Sequence, residues 1–264
     1  MRRRRIYRWI AVIAIVVVGL YFVVDVVTLQ YMQSRAGAET ARGMTAQGAK
    51  VKLGSVPFLP GFLFGHTSNV SATINGATAT GGFGVDQIQF SASSVHYSAS
   101  RMFSLARSLF STQTKVTFMQ PSCTVQLAES DLSQFIEHNV PDVGQVQVKP
   151  TGIEIRFKLP LLPPVNSPTA SPSPSPTPTP APQVQLTEPA RFLPRIENGR
   201  FVLTLIDVSQ IGTQFRDDAN EIENLINLPP VPSSMNSDVR LGKGVIVIES
   251  QGLSLTVTVG QGPS

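Results

Sequence analysis

Apolar and polar positions alternate along most of this chain from Val70 to Val259, and the alternation predicts strands. Val70, Ala72 and Ile74 alternate with Ser71 and Thr73, and Asn75-Gly76 behind them predicts a hairpin turn. Gly81, Gly82 and Gly84 predict a further bend. Beyond it Ile88, Phe90 and Ala92 take one face, and Gln87, Gln89 and Ser91 the other. Lys115 to Leu127 reads as strand. Val146 to Leu159 is the clearest hairpin: Pro150-Thr151-Gly152 turns it, Ile153, Ile155, Phe157 and Leu159 share one face, and Glu154, Arg156 and Lys158 share the other. Val184 to Leu193, Arg200 to Ile206 around an Asn198-Gly199 turn, and Asp238 to Val259 complete the strand material. A period of two with one polar face describes an antiparallel sheet wetted on one side.

Helical spacing appears in fewer places. Met102, Leu105, Ala106 and Leu109 predict a short helix over 99–110. Leu132, Phe135 and Ile136 form a stripe with Ser130 as N-cap, Asp131 in the first turn and Pro141 as the stop. Ile211, Phe215, Ile222, Leu225 and Ile226 form another, ended by Pro229, Pro230 and Pro232, with Asp217, Asp218, Glu221 and Glu223 on the solvated surface.

Val51 to Gly65, VKLGSVPFLPGFLFG, joins the two patterns. Val51, Leu53 and Val56 predict a short strand that Pro57 and Pro60 end, because each lacks a backbone donor and fixes φ. Phe58, Leu59, Phe62, Leu63 and Phe64 then crowd a loop broken only by Pro60 and Gly61. Such a loop either plugs its own core or presents an apolar tip to a membrane.

The beginning of the chain follows neither period. Trp9 to Val24 is a run of sixteen uncharged residues after Arg2, Arg3, Arg4, Arg5 and Arg8. Extended through Leu29 past Asp25, which reaches back toward the outer interface, the run spans about 31 Å at ~1.5 Å per residue, enough for a hydrocarbon core. The arginines place its start in the cytoplasm and the rest of the chain outside. An uncleaved anchor over residues 1–29 is the preferred reading; a signal peptide cut near Ala36-Gly37-Ala38, giving a secreted protein, is the competitor. Tyr31 to Lys50 continues outward as a helix.

Charge and cysteine content narrow the function. The formal charge is +4, and removing the five N-terminal arginines leaves the rest at −1. The basic balance is therefore a topology signal, and no nucleic-acid partner is expected. Cys123 is the only cysteine, which excludes an intrachain disulfide and predicts a small buried hydrophobe. His66, His96 and His138 lie far apart in sequence and read as surface or packing residues. No phosphate-cradling loop, nucleophile elbow, HExxH or CxxC is present, so no cofactor, metal or catalytic residue is expected and the chain reads as a binding protein.

Pro163 to Gln183 holds nine prolines in 21 residues, most of the others being Ser, Thr or Ala. Such a stretch reads as an extended, disordered insertion. The strand material on both sides predicts a single domain over 30–262 that this loop interrupts.

Three of these stretches, with the anchor and its following helix, resemble one family. VKLGSVPFLPGFLFG, with Pro57, Phe58, Leu59 and Gly65, is similar to a strand, PFL and glycine signature. CTVQLAESDLSQFIEH, Cys123 to His138, is similar to its strand-then-helix segment. LPPVPSSMNSDVRLGKGVIVIES, Leu228 to Ser250, is similar to its proline-rich step into the last strands. In this order, over roughly residues 30–260, the chain resembles the actinobacterial phospholipid-binding proteins of the lipomannan-elongation type. The insertion at 163–183 departs from that pattern.

The resemblance implies an α+β, tubular lipid-binding type of fold. In it a curved antiparallel β-sheet wraps one or more helices around an apolar cavity, here preceded by an N-terminal transmembrane helix. Ile153, Ile155, Phe157, Phe201, Leu203 and Leu205 are the candidates for an acyl-chain lining, and Phe58, Leu59, Phe62 and Phe64 for a rim or membrane-touching tip. The expected function is a membrane-anchored, extracytoplasmic, non-catalytic phospholipid-binding protein of the cell envelope, with residues 9–29 in the membrane. The alternatives are an extracytoplasmic scaffold with a filled core and a hydrolase acting on an envelope glycolipid.

Overall fold

Helix α1 runs unbroken from Arg2 to Gly43, so the segment expected to be an anchor and the helix expected after it are one element. The computed structural model describes residues 2–54, 57–78, 82–97, 114–159, 185–207, 215–226 and 231–259, with side chains of α1 from Val16 onward. Strand β1 (Gly48–Gly54) and a short helix α2 (Phe58–Leu63) follow α1. Next come β2 (His66–Thr78), β3 (Gly84–Tyr97), β4 (Thr114–Met119), β5 (Ser122–Ala128) and helix α3 (Glu129–Asn139). A meander of β6 (Val143–Lys149), β7 (Gly152–Phe157), β8 (Ala190–Glu197) and β9 (Arg200–Asp207) leads to helix α4 (Arg216–Leu225). The described chain closes with β10 (Met235–Leu241), β11 (Val245–Gly252) and β12 (Ser254–Val259). The helix expected over 99–110, the insertion at 163–183 and Ile211 lie outside the described residues.

The described part of α1 changes character at Asp25. From Val16 to Val24 every side chain is exposed, and the helix is long and apolar enough to cross a membrane. From Asp25 on, a stripe at 3–4 residue spacing that includes Leu29, Met32, Ala36, Gly37 and Ala41 is half-buried or buried. It lies against β1, and Gln33 Nε2–H donates to the Leu53 carbonyl at 3.0 Å. A Cβ on Gly37 would stand 2.8 Å from the Ala49 carbonyl oxygen, so only glycine permits this approach. Gly37→Leu is expected to cost about 1–3 kcal/mol and to expose the α1–β1 junction to protease; equal digestion of variant and parent would contradict this packing.

The expected apolar loop after β1 is a helix. Pro57 occupies its N-cap in extended backbone, and Pro60 sits in the first turn, where the missing N–H costs no helical bond. Asp25 caps it from α1: the Phe58 N–H donates to Oδ2 at 2.8 Å and the Leu59 N–H to Oδ1. The only acid of the apolar run is thus fully buried and holds the two orphan donors of α2.

Eight of the described strands form the larger sheet, β1-β2-β3-β5-β11-β10, with β4 joining β3 to β12. Residues β4 and β5 lie end to end on β3, and β12 and β11 lie end to end on them, with no register shift across either break. The single strand expected over 115–127 is therefore one long line interrupted at Gln120-Pro121. At the same level β1 has a register shift between Lys52 and Gly54, while Asn69 of β2 and Gln120 adopt φ of 49° and 47°. This row of irregularities bends the sheet. Asn75-Gly76 is not a hairpin turn: both residues lie inside β2, and the connection to β3 comes after Thr78. Gly76, with φ of 59°, instead switches which side chains face inward, from Ile74 to Ala77.

The second sheet is β6-β7-β8-β9, antiparallel throughout, and β7 pairs directly with β8 across the chain between them. Helix α3 packs on β6 and on β3 and β5, and α4 packs on β9. Leu132 and Ile136 of α3 and Ala219 and Ile222 of α4 are fully buried among residues of both sheets. Ser130 is not the cap of α3, which starts at Glu129; Glu129 Oε2 instead accepts from the Val148 N–H at 2.6 Å. Two acids placed on solvated faces are also engaged. Glu154 is buried between Lys149 and Arg191, and Glu223 Oε1 accepts from the Leu205 N–H at 2.7 Å.

Candidate functional site

The bend leaves a cavity of about 320 Å³ on the inner face of the larger sheet. Three strands supply one wall in rows of directly opposed residues. Ile88, Val125 and Ile248 form one row, and Phe90, Cys123 and Ser250 the next. The facing wall comes from the β8–β9 hairpin through Ile196 and Phe201, and from Val231, Pro232 and Met235. Met44, just beyond α1, and Ala77, Thr78 and Val85 edge it. Among the described residues no charged side chain lines the cavity, and Ser250 spends its hydroxyl on Ser237, Oγ to Oγ 2.8 Å. Such walls offer a ligand apolar burial and almost no hydrogen bonding, which suits hydrocarbon.

Cys123 fills the packing role expected of it only in part, since it is half-buried and faces the cavity. Desolvation pushes its thiol pKa up. The thiolate is the nucleophile, so alkylation is expected to be slow at neutral pH and to accelerate only above the ordinary thiol range. A bound acyl chain should slow it further. Equal rates with and without added phospholipid would show that nothing enters beside Cys123.

Of the six residues expected to line a cavity, Phe201 does so. Ile153, Ile155, Phe157 and Leu203 instead belong to the closed core, with essentially no exposure, and Leu205 is packed against it. The Phe157 ring stacks on Phe215 at 5.1 Å, because the segment entering α4 covers that face of β7. Alternation shows that a face is apolar; it does not show whether a helix or a void covers it. Ile88 and Phe90 were legible as an apolar face, whereas the opposing wall at 231–235 carries no such periodicity.

The four tip candidates, Phe58, Leu59 and Phe62 of α2 and Phe64 at its C-cap, divide, and Leu63 lies beside them. Phe58 is 2% exposed and plugs the junction with α1; Leu59 and Phe62 are half-buried; Leu63 and Phe64 are 46% and 87% exposed. Phe62 packs on Phe58 at 5.3 Å and on Tyr97 at 6.0 Å, and the Tyr97 hydroxyl donates to the Phe62 carbonyl at 3.1 Å. Burial raises the Tyr97 pKa, opposed by its bond with Thr67.

Two histidines that are distant in sequence meet in space. His66 and His96 are directly opposed on β2 and β3 with ring centroids 4.8 Å apart, and Ser94 Oγ lies 3.3 Å from His96 Nε2. Sequence spacing gave no sign of this pairing, which depends on strand register. Among the described residues no three His, Cys, Asp or Glu side chains gather into a metal site.

No curated protein sequence and no solved structure matches the chain. A protein family does, over residues 23–258, a span that starts just before Asp25 and takes in both sheets and the cavity. The chain belongs to the LmeA-like phospholipid-binding family.

Proposed function

We propose that this protein is a membrane-anchored, extracytoplasmic phospholipid-binding protein that holds acyl chain in the cavity and serves cell-envelope lipid maintenance without covalent chemistry. The apolar cavity carries this reading, and the family's binding of phospholipid supports it. Its volume is at the lower end of the ~300–1,000 Å³ range of ligand pockets, room for part of a lipid. Each buried methylene contributes about 0.8 kcal/mol, so hydrocarbon supplies affinity while the head group remains outside the uncharged walls.

The arginines before Trp9 set the orientation, with the domain outside. The course of α1 supports retention of the anchor. A cut near Ala36-Gly37-Ala38 would divide the stripe that packs on β1 and remove Asp25 from α2.

The test is organic extraction and mass spectrometry of the full-length protein purified in detergent. Stoichiometric phospholipid that survives gel filtration is expected. A folded, lipid-free protein that takes up no added phospholipid would overturn the reading in favour of a scaffold with a filled core.

A further inference from the structure

The apolar lining continues beyond the cavity. Leu255 lines the cavity together with Ser250, five positions earlier, and the Phe118 ring meets Phe90 edge-on at 5.2 Å. Simple alternation would put these partners on opposite faces, so the break at Gln120-Pro121 and Leu253 switches the inward face. Two further rows of opposed residues follow on that face. Val95, Phe118 and Leu255 form the first, and Tyr97, Val116 and Val257 the second. The second row reaches α2, where Tyr97 contacts Phe62 and its N–H donates to the Gly65 carbonyl at 2.9 Å. From Val125 to Val116 the strip is about 30 Å long at ~3.3 Å per residue.

The position of α2 along the anchor fixes where that strip ends. Asp25 stands sixteen residues beyond Trp9, about 24 Å along a helix in a hydrocarbon core of ~30 Å. The α2 helix, hydrogen-bonded to Asp25, is therefore level with the outer leaflet, and its exposed Leu63 and Phe64 meet lipid there. Met44, at the cavity edge, is nineteen residues further along the chain, at most about 28 Å farther out. A carboxylate at that depth is tolerated because both of its oxygens accept backbone N–H groups.

We propose that α2 is an outer-leaflet tip, clamped to the anchor by Asp25, at which the apolar strip opens into the bilayer, so that an acyl chain of a membrane phospholipid passes to the cavity without crossing water. This rests on the reading of the cavity as an acyl site.

The test uses the full-length protein in phosphatidylcholine–phosphatidylglycerol vesicles. Trp9 is the sole tryptophan, so Phe64→Trp on a Trp9→Phe background reports on the tip alone. Quenching by lipids brominated on the acyl chain is expected, together with blue-shifted emission. Phe64→Asp in the native background should slow transfer of a fluorescent phospholipid from protein to vesicle about tenfold, the effect of one lost buried aromatic. A tryptophan at 64 with water-like emission and no quenching, or transfer at the parental rate in Phe64→Asp, overturns the proposal. Cys123→Phe separates it from the cavity reading. If that variant still retains lipid, the cavity reading fails; if it loses lipid while position 64 stays unquenched, only the tip proposal fails.

Discussion

Cys123→Phe is expected to abolish phospholipid retention while leaving the fold intact. Cys123 lies in the middle of the row Phe90–Cys123–Ser250, facing a void of about 320 Å³. A phenyl ring there projects into empty volume, so overpacking, which costs ~1–3 kcal/mol in a filled core, is largely avoided. The ring takes the space of the acyl chain. Excluding five methylenes at ~0.8 kcal/mol each removes about 4 kcal/mol, roughly a thousandfold in affinity. Phospholipid titration, with a thermal melt on the same sample, checks both halves. Unchanged affinity would place the lipid elsewhere.

Phe157→Ala should do the reverse. Phe157 has no exposed surface and stacks on Phe215 within the core shared by both sheets. Truncation leaves a cavity that the covering segment cannot close, at about 3–5 kcal/mol, a fall in melting temperature of about 10 °C for a chain of this size. Retained lipid should match the parent at temperatures where the variant is folded, because Phe157 does not touch the cavity. A variant that melts normally but loses lipid would return β7 to the binding site.

These two residues show what the sequence could and could not reveal. The strands were legible where period two holds, from Ile88 to Ala92 of β3 and from Ile153 to Phe157 of β7, and the hairpin at Pro150-Thr151-Gly152 was legible from turn chemistry. Phe157 and Phe90 carry the same local signature, an aromatic on the apolar face of a strand. Which one is covered by a helix and which faces a void depends on how α3, α4 and the 231–235 segment pack, and that is tertiary information. Asn75-Gly76 has the same hairpin composition as Asn198-Gly199, which does turn β8 into β9, and still lies mid-strand, because β2 pairs with β3 on both sides of it. Its left-handed glycine instead switches the inward face of β2 from Ile74 to Ala77. Asp25 was legible as an intrusion into the apolar run, but its partners, Phe58 and Leu59, lie more than thirty residues away. The opposition of His66 and His96 likewise needed the strand register.

The most direct test of the cavity is photocrosslinking of the full-length protein with a phospholipid carrying a diazirine near the end of one acyl chain, followed by peptide mapping. Adducts are expected on β3, β5, β11 and the 231–235 segment, at residues such as Phe90, Val125, Ile248 and Met235. Adducts confined to Val16–Val24 of α1, with none on these strands in a folded protein, would mean that lipid surrounds that helix and never occupies the domain.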